Sequence, residues 1–214
     1  SNIVAMGYGG GQPNISQDLI RNLRFPFPNQ QLQTAIANFL DEKTAKIDEA
    51  IAIKEKQIEL LKERKQIIIQ QAVTQGLDQT VPMKDSGVEW IGLIPAHWDI
   101  RKFKFLANVR YGLGQPPKQL DDGLKIIRAT NVERGKIVEN GMMYIDPNDV
   151  PWDRNPTLKH GEIIVVRSGA YTGDSALVTK DYDGCIAGYD MVATPIACSS
   201  EFLAYALLSH YVLY

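Results

Sequence analysis

The sequence predicts an α+β protein: one mixed domain joined to a long helix able to form a coiled coil. Three observations predict it. No Pro or Gly interrupts residues 29–75, and strand-like apolar runs alternate with turn signals from Val88 onwards. The 214 residues, 44% apolar and 22% charged, have the composition of a chain that folds around a substantial core.

Residues 1–28 open with a glycine-rich loop, Gly7-Tyr8-Gly9-Gly10-Gly11-Gln12-Pro13-Asn14, and pass through a short turn at Ile15-Ser16-Gln17-Asp18-Leu19-Ile20. They leave through Leu23-Arg24-Phe25-Pro26-Phe27-Pro28, where each proline biases the residue before it towards extended backbone. From Asn29 strong helix formers dominate. Asn29 is suited to cap this helix, and Gly76 stands where a left-handed residue would end it.

Along the helix Ile36, Leu40, Ile47, Ile51, Ile58, Leu61, Ile68 and Ala72 follow one another at spacings of 4, 7, 4, 7, 3, 7 and 4, a heptad seam that skips Thr44, Lys54 and Lys65. About 45 residues rising ~1.5 Å each make a rod on the order of 70 Å, longer than a small domain covers, so the seam calls for a partner. The charges from Asp41 to Lys65 divide into seven of each sign, as expected of the solvated and pairing faces of a coiled coil. The competing reading is a spacer packed on its own domain, which leaves no exposed apolar length.

Residues 77–87 read as a polar, turn-prone linker. Beyond it, residues 124–128, 141–145, 163–167, 175–178 and 190–195 read as strands, and 202–214 carry helical spacing that stops without a cap. Trp90, Trp98 and Trp152 are expected in the core.

Composition also excludes functions. With 23 basic and 25 acidic side chains the net charge is -2, so bulk charge alone does not hold a polyanion. Cys185 and Cys198 are too few for a disulfide framework and show no metal-site spacing, which points to a reducing cytoplasmic setting without metal or cofactor. Residues 202–214 are too short to span a membrane. Gly7 to Gly11 lacks the Gly-Lys-Ser/Thr of a phosphate loop, and no strand precedes it as a dinucleotide fingerprint requires. Asn155-Pro156-Thr157-Leu158 lacks the second proline and the aromatic residue of an amino-methyltransferase signature. Asp41-Glu42-Lys43 has no second acidic partner on a strand, so cleavage chemistry has no support either. No catalytic residue is expected.

The stretch Ser86-Gly87-Val88-Glu89-Trp90-Ile91-Gly92-Leu93-Ile94-Pro95-Ala96-His97-Trp98 closely resembles the opening of a target-recognition domain in specificity (S) subunits of type I restriction-modification enzymes. Ile36-Ala37-Asn38-Phe39-Leu40-Asp41 through Lys46-Ile47-Asp48, Ile58-Glu59-Leu60-Leu61-Lys62-Glu63-Arg64-Lys65 and Ala72-Val73-Thr74-Gln75-Gly76-Leu77 resemble that family's helical spacer. Gly161-Glu162-Ile163-Ile164-Val165-Val166-Arg167-Ser168-Gly169-Ala170 resembles its central recognition strand and turn. A full subunit of the family runs recognition domain, helix, recognition domain, helix. Here the order is the tail of one recognition domain (1–28), the helix (29–76), a linker (77–87) and the head of another (88–214). The chain is therefore expected to be a fragment, or a circularly permuted half-subunit in which 1–28 and 88–214 complete one domain and residues 202–214 pack beside the segment starting at Ile3.

The resemblance implies a non-catalytic subunit that reads half of a bipartite target in double-stranded DNA. It would dock methyltransferase (modification) subunits through its helix, and indirectly the restriction subunit, and would form a homodimer through antiparallel long helices. Methyl transfer and cleavage would come from the partner subunits. The alternative is a coiled-coil structural or adaptor protein with a protein-binding head, which the balanced charge and the heptads also fit.

For a DNA reader the useful side chains are amides, hydroxyls and cations on loops. Four loops offer them: Gln12 and Asn14; Gln115 and Lys118; Arg128, Thr130 and Asn131; and Arg167, Ser168, Tyr171 and Thr172. Ordinary ion pairs compete for Arg128 and Arg167, capping of the turn at Ile15 for Gln12 and Asn14, and core packing for the tyrosines. Residues 1–28 and 88–214 together hold 15 basic and 16 acidic side chains. Affinity therefore needs cations clustered on one face, a second recognition domain, or basic partner subunits.

Overall fold

The computed structural model describes residues 15–89, 91–114 and 118–209. The chain divides into two compact units, residues 1–58 and 59–214. In the first unit, α1 (Gln17–Arg21) is capped by Ser16, whose hydroxyl accepts the Leu19 N–H at 3.2 Å. The second helix, α2, covers Gln30–Gln75 and continues from the first unit into the second. Asn29 caps it, its Oδ1 accepting the Leu32 N–H at 2.9 Å. Gly76 ends it at φ +80°, and a side chain there would also meet the Trp98 ring, 3.3 Å from where a Cβ would stand.

The seam residues Ile36, Leu40, Ile47, Ile51, Ile58, Leu61 and Ile68 are 44–65% exposed, and Ala72 is half-buried. A spacer sealed against its own domain would show the opposite. A second apolar row stands beside the first. Leu32, Phe39, Ile53, Leu60 and Ile67 are 46–57% exposed and recur by sevens, with Lys46 in the one missing place. The apolar surface of α2 is thus wider than a two-helix seam requires.

In the second unit, the last turns of α2 are held by buried Ile69 and by Gln66, whose Nε2 donates to the Leu208 carbonyl at 2.9 Å. Two short strands, β1 (Met83–Asp85) and β2 (Leu93–Pro95), pair antiparallel, so part of the expected linker is ordered as a strand. There follow β3 (Ala107–Tyr111), β4 (Gln119–Leu120), β5 (Leu124–Ile127), β6 (Val132–Glu133), β7 (Lys136–Ile137) and β8 (Met143–Ile145). The chain then forms β9 (Ile163–Val165), β10 (Ser175–Leu177), β11 (Ile186–Ala187), β12 (Met191–Pro195) and α3 (Ser200–Leu208). One antiparallel sheet has the order β10-β9-β12-β3. The other, β11-β5-β8-β4, contains a single parallel pair, β11 with β5.

Burial on both faces explains the unbroken apolar run Ile163-Ile164-Val165-Val166. Successive strand residues point to opposite sides. Ile164 and Val192 join a core with Ile127, Ala187 and Leu158, whereas Ile163 and Ala193 pack with Leu203 and Ala204 of α3. A third cluster, Leu113, Ile126, Met143, Ile145, Val150 and Ile186, supports the second sheet. The mixed α+β fold is as the sequence predicts, although β3 is not among the predicted runs.

Trp152 departs from its expected burial. It is 53% exposed, in a short turn where its indole N–H donates to the Pro147 carbonyl at 3.1 Å, so its polar atom is satisfied at the surface. Trp98 is half-buried, and Trp90 lies outside the described residues. Among the described residues no helix is long and apolar enough to cross a membrane.

Candidate nucleic-acid interface

Three loops are brought together where β3, β9 and β12 reach the same end of their sheet. Register sets this end: Met191 pairs with both Tyr111 and Val165, so Tyr111, the residues after Val165 and the residues before Met191 are neighbours. The Gly112 N–H donates to the Asp190 carbonyl at 2.9 Å, and the Gly188 N–H to the Ile127 carbonyl at 2.8 Å. Both glycines are dictated by space. A Cβ on Gly112 would stand 2.2 Å from the Gly188 oxygen, and one on Gly188 would stand 2.8 Å from the Ile127 oxygen. These close approaches tie the turn after β5, the turn before β12 and the exit of β3 into one rim.

The rim carries a stacked cation. The Arg167 guanidinium carbon lies 3.6 Å from the centroid of the Tyr189 ring and 4.9 Å from that of Tyr111. Both tyrosines are exposed, at 47% and 62%, which sets them on the surface rather than in the core. Behind them Asp190 is buried, and its Oδ1 accepts the backbone N–H of Arg167 at 3.4 Å. Burial raises the Asp190 carboxyl above its ordinary value, while the Arg167 N–H and charge pull the other way. Its Oδ2 is buried without a hydrogen-bond partner. The guanidinium thus forms no salt bridge with Asp190.

Arg167 opens the β9–β10 hairpin. This turn is closed by Gly173 N–H to the Val166 carbonyl and Val166 N–H to the Asp174 carbonyl, each at 2.8 Å. Gly169 and Gly173, with φ of 93° and 90°, supply its left-handed bends. Ser168 and Tyr171 are exposed on it. The Thr172 hydroxyl, also exposed, donates to the Gly169 carbonyl at 2.6 Å and so holds the loop's own shape.

In the turn after β5 the expected residues separate. Thr130 is exposed. Arg128 is half-buried, with Nη2 donating to the Gly141 carbonyl at 2.7 Å and Nε buried without a partner. Asn131 is a correction. It is fully buried, its amide donating to the Val138 and Asn140 carbonyls at 3.2 and 3.1 Å and its Oδ1 accepting the Arg128 N–H at 3.3 Å. Every edge of that amide is occupied, so it shapes the turn and has nothing to offer DNA. Lys118 is exposed ahead of β4. Gln12, Asn14 and Gln115 lie outside the described residues, as do the segments of the expected contact between 202–214 and Ile3 that fall in 1–14 and 210–214.

From sequence, Tyr111 and Tyr189, like Tyr171, read as tyrosines able to stack or bond at an interface, with buried packing as the commoner fate, and Asp190 carries no signal. Nothing in the chain order pairs them with Arg167 before the sheet register is known. Arg110 and Glu162 escape for the same reason. They form a structural clasp beside the rim, in which Arg110 Nη1 and Nη2 meet Glu162 Oε1 and Oε2 at 2.6 and 2.8 Å.

A second surface lies within the same unit. Leu61, Ile68 and Ala72 of α2 face Trp98, Phe202 and Tyr205 across an open apolar groove of about 840 Å³.

The rim of cation and tyrosines thus stands on an α+β head that follows a long helix. The same fold occurs in a chain from a solved type I R-M system, described for its complex assembly and conformational transition, with a TM-score of 0.55 and 14% identity over 100% of this chain and 50% of that one. No family model matches the chain. Among its curated relatives are specificity subunits of type I restriction enzymes. It is 26% identical over 210 residues to the MjaVIII specificity subunit of Methanocaldococcus jannaschii, covering 95% of this chain and 48% of that protein. It is 24% identical over 168 residues to the EcoKI specificity subunit of Escherichia coli, covering 77% of this chain and 34% of that protein. The chain spans less than half the length of either relative, in keeping with a fragment or half-subunit.

Proposed function

We propose that this chain is a non-catalytic, cytoplasmic DNA-recognition subunit, or half-subunit, of a type I restriction-modification system. It reads half of a bipartite duplex target with the rim of its head. The observation that carries this reading is the convergence of three loops on one sheet end bearing a stacked, unpaired guanidinium between exposed tyrosines. Other residues expected at the DNA are Lys118, Arg128, Thr130, Ser168, Tyr171 and Thr172, together with Gln12, Asn14 and Gln115.

The exposed seam supports a homodimer, and charge favours antiparallel pairing. Residues 30–52 of α2 carry Asp41, Glu42, Asp48 and Glu49 against Lys43 and Lys46, a net -2. Residues 53–75 carry five basic residues, Lys54, Lys56, Lys62, Arg64 and Lys65, against Glu55, Glu59 and Glu63, a net +2. Antiparallel helices set each half against its opposite, whereas parallel helices set like against like. The seam spacings read nearly the same from either end, as self-pairing by a two-fold axis requires. In the permuted half-subunit, 1–28 and 88–214 complete one recognition domain. The second apolar row of α2 remains for methyltransferase subunits, which bring the chemistry and link to the restriction subunit.

Helix length then acts as a ruler between half-sites. Adding or deleting residues between Lys54 and Lys65 is expected to change the preferred spacer and leave the half-site sequence unchanged. Mapping of methylated sites with the methyltransferase partner tests this. An unaltered spacer removes the ruler. Absence of salt-dependent, sequence-selective duplex binding removes the DNA reading and leaves the adaptor alternative.

A further inference from the structure

Among the described arginines of the head, Arg110, Arg128 and Arg154 are engaged by protein acceptors, whereas Arg167 is held in place by aromatic rings without one. Arg110 binds Glu162 through both terminal nitrogens, and its Nε donates to the Asn155 carbonyl at 3.1 Å. Arg128 donates to the Gly141 carbonyl and Arg154 to that of Leu113. Arg167 is held at both ends without any acceptor for its guanidinium among the described residues. Its backbone N–H meets buried Asp190, and its guanidinium carbon stands at stacking distance, 3.6 Å, from the Tyr189 ring, with Tyr111 at 4.9 Å.

Stacking has a directional consequence. A guanidinium is planar, with all of its N–H donors in its own plane. Aromatic contacts occupy its faces and leave the donor edge unpaired. They also restrict its rotamers, so less entropy is lost when a target is bound. The ion pair that would compete for that edge is not made, because Asp190 Oδ2 is buried without a partner. What remains is a positioned fork of parallel donors on an exposed rim. Among base edges in the major groove, guanine offers the matching pair of acceptors, O6 and N7. A phosphate also accepts a guanidinium fork through two oxygens, but it lies on the backbone at every step and carries no sequence, so the two contacts differ in their dependence on base identity and salt.

We infer that Arg167, held between Tyr189 and Tyr111, is a specificity-determining residue that reads a guanine in the half-site through O6 and N7. This rests on the DNA-reading function proposed above and names one base of its target. Tyr111 and Tyr189 are positioning residues for it.

The test uses the full chain with its methyltransferase partner. The preferred site is first selected from a randomised duplex library, and each guanine in the half-site is then replaced singly by 7-deazaguanine, which lacks the N7 acceptor. At one guanine the wild type is expected to lose roughly 10- to 100-fold in affinity, and Arg167→Ala to lose about as much on the natural site while becoming indifferent to 7-deazaguanine there. Arg167→Lys keeps the charge and loses the fork, so it should show the same indifference with an unchanged salt dependence of non-specific binding. The inference is overturned if the wild type tolerates 7-deazaguanine throughout. It is equally overturned if Arg167→Ala weakens all sequences alike and lowers the salt slope by about one, the signature of a phosphate contact. Failure of the wild type to select any sequence would instead remove the underlying DNA reading. Thermal unfolding of each variant identifies any loss that comes from misfolding.

Discussion

Arg110 and Glu162 form a two-pronged ion pair that reaches from β3 across β12 to the start of β9, at 2.6 and 2.8 Å. The β12 residue between them joins in, since the Thr194 hydroxyl donates to Glu162 Oε1 at 2.6 Å, and the Lys159 N–H donates to Oε2 at 2.9 Å. Arg110 precedes Tyr111, so this clasp fixes the strand end on which the rim is built. Removing one partner strands a largely buried charge, and Glu162→Gln is expected to cost about 3 kcal/mol. The midpoint of urea unfolding should fall accordingly. An unchanged midpoint would show that the pair is not structural.

Two buried carboxyls impose opposite pH dependences. Burial alone would raise Glu162, but the hydrogen bonds from Arg110, Thr194 and Lys159 and the Arg110 charge outweigh it and hold the carboxyl below its ordinary 4.5. Its contribution to stability is therefore present above pH ~4.5 and lost as pH falls through the lower folded value. Asp190, raised chiefly by burial from its ordinary 3.8, works in the other sense, because ionising it weakens the fold as pH rises above that value. Asp190→Asn should raise the melting temperature at pH 7, with the gain shrinking as pH falls towards 3.8. A gain independent of pH would point to packing instead.

Asn131 separates structural from functional importance in the turn after β5. Asn131→Ala leaves the Val138 and Asn140 carbonyls and the Arg128 N–H without their present partner, which should cost about 2–3 kcal/mol. Selection of sites at a temperature where the variant is folded should return the wild-type sequence. A changed base preference would restore Asn131 as a contact.

The seam can be tested apart from the heads. Ile47 and Ile51 are 58% and 50% exposed, so Ile47→Asp with Ile51→Asp should leave the unfolding of the head within about 0.5 kcal/mol of wild type. The same variant should sediment as a monomer where the wild type sediments as a dimer. If both sediment as monomers, the exposed rows of α2 serve other partners alone.

The local elements were legible because their causes are local. Asn29 and Gly76 can be read as the caps of α2, the heptad seam follows from spacing, and the strands around Ile126, Ile145, Ile164, Ala176 and Val192 follow from apolar runs between turns. The second row on α2 was equally legible as sevens from Leu32, but Lys46 interrupts it and the first seam masks it. Asn131 was misread because an amide beside a loop arginine looks the same in sequence whether it faces water or three backbone groups.

By itself, then, the chain order determined an α+β head, a long helix and an apolar seam, since propensity and periodicity act over a few residues. Which side chains meet was decided by tertiary structure alone. Tyr111, Arg167 and Tyr189 are far apart along the chain and become neighbours only through the register of β3, β9 and β12. Gly112 and Gly188 permit that meeting because no Cβ fits where their backbones pass.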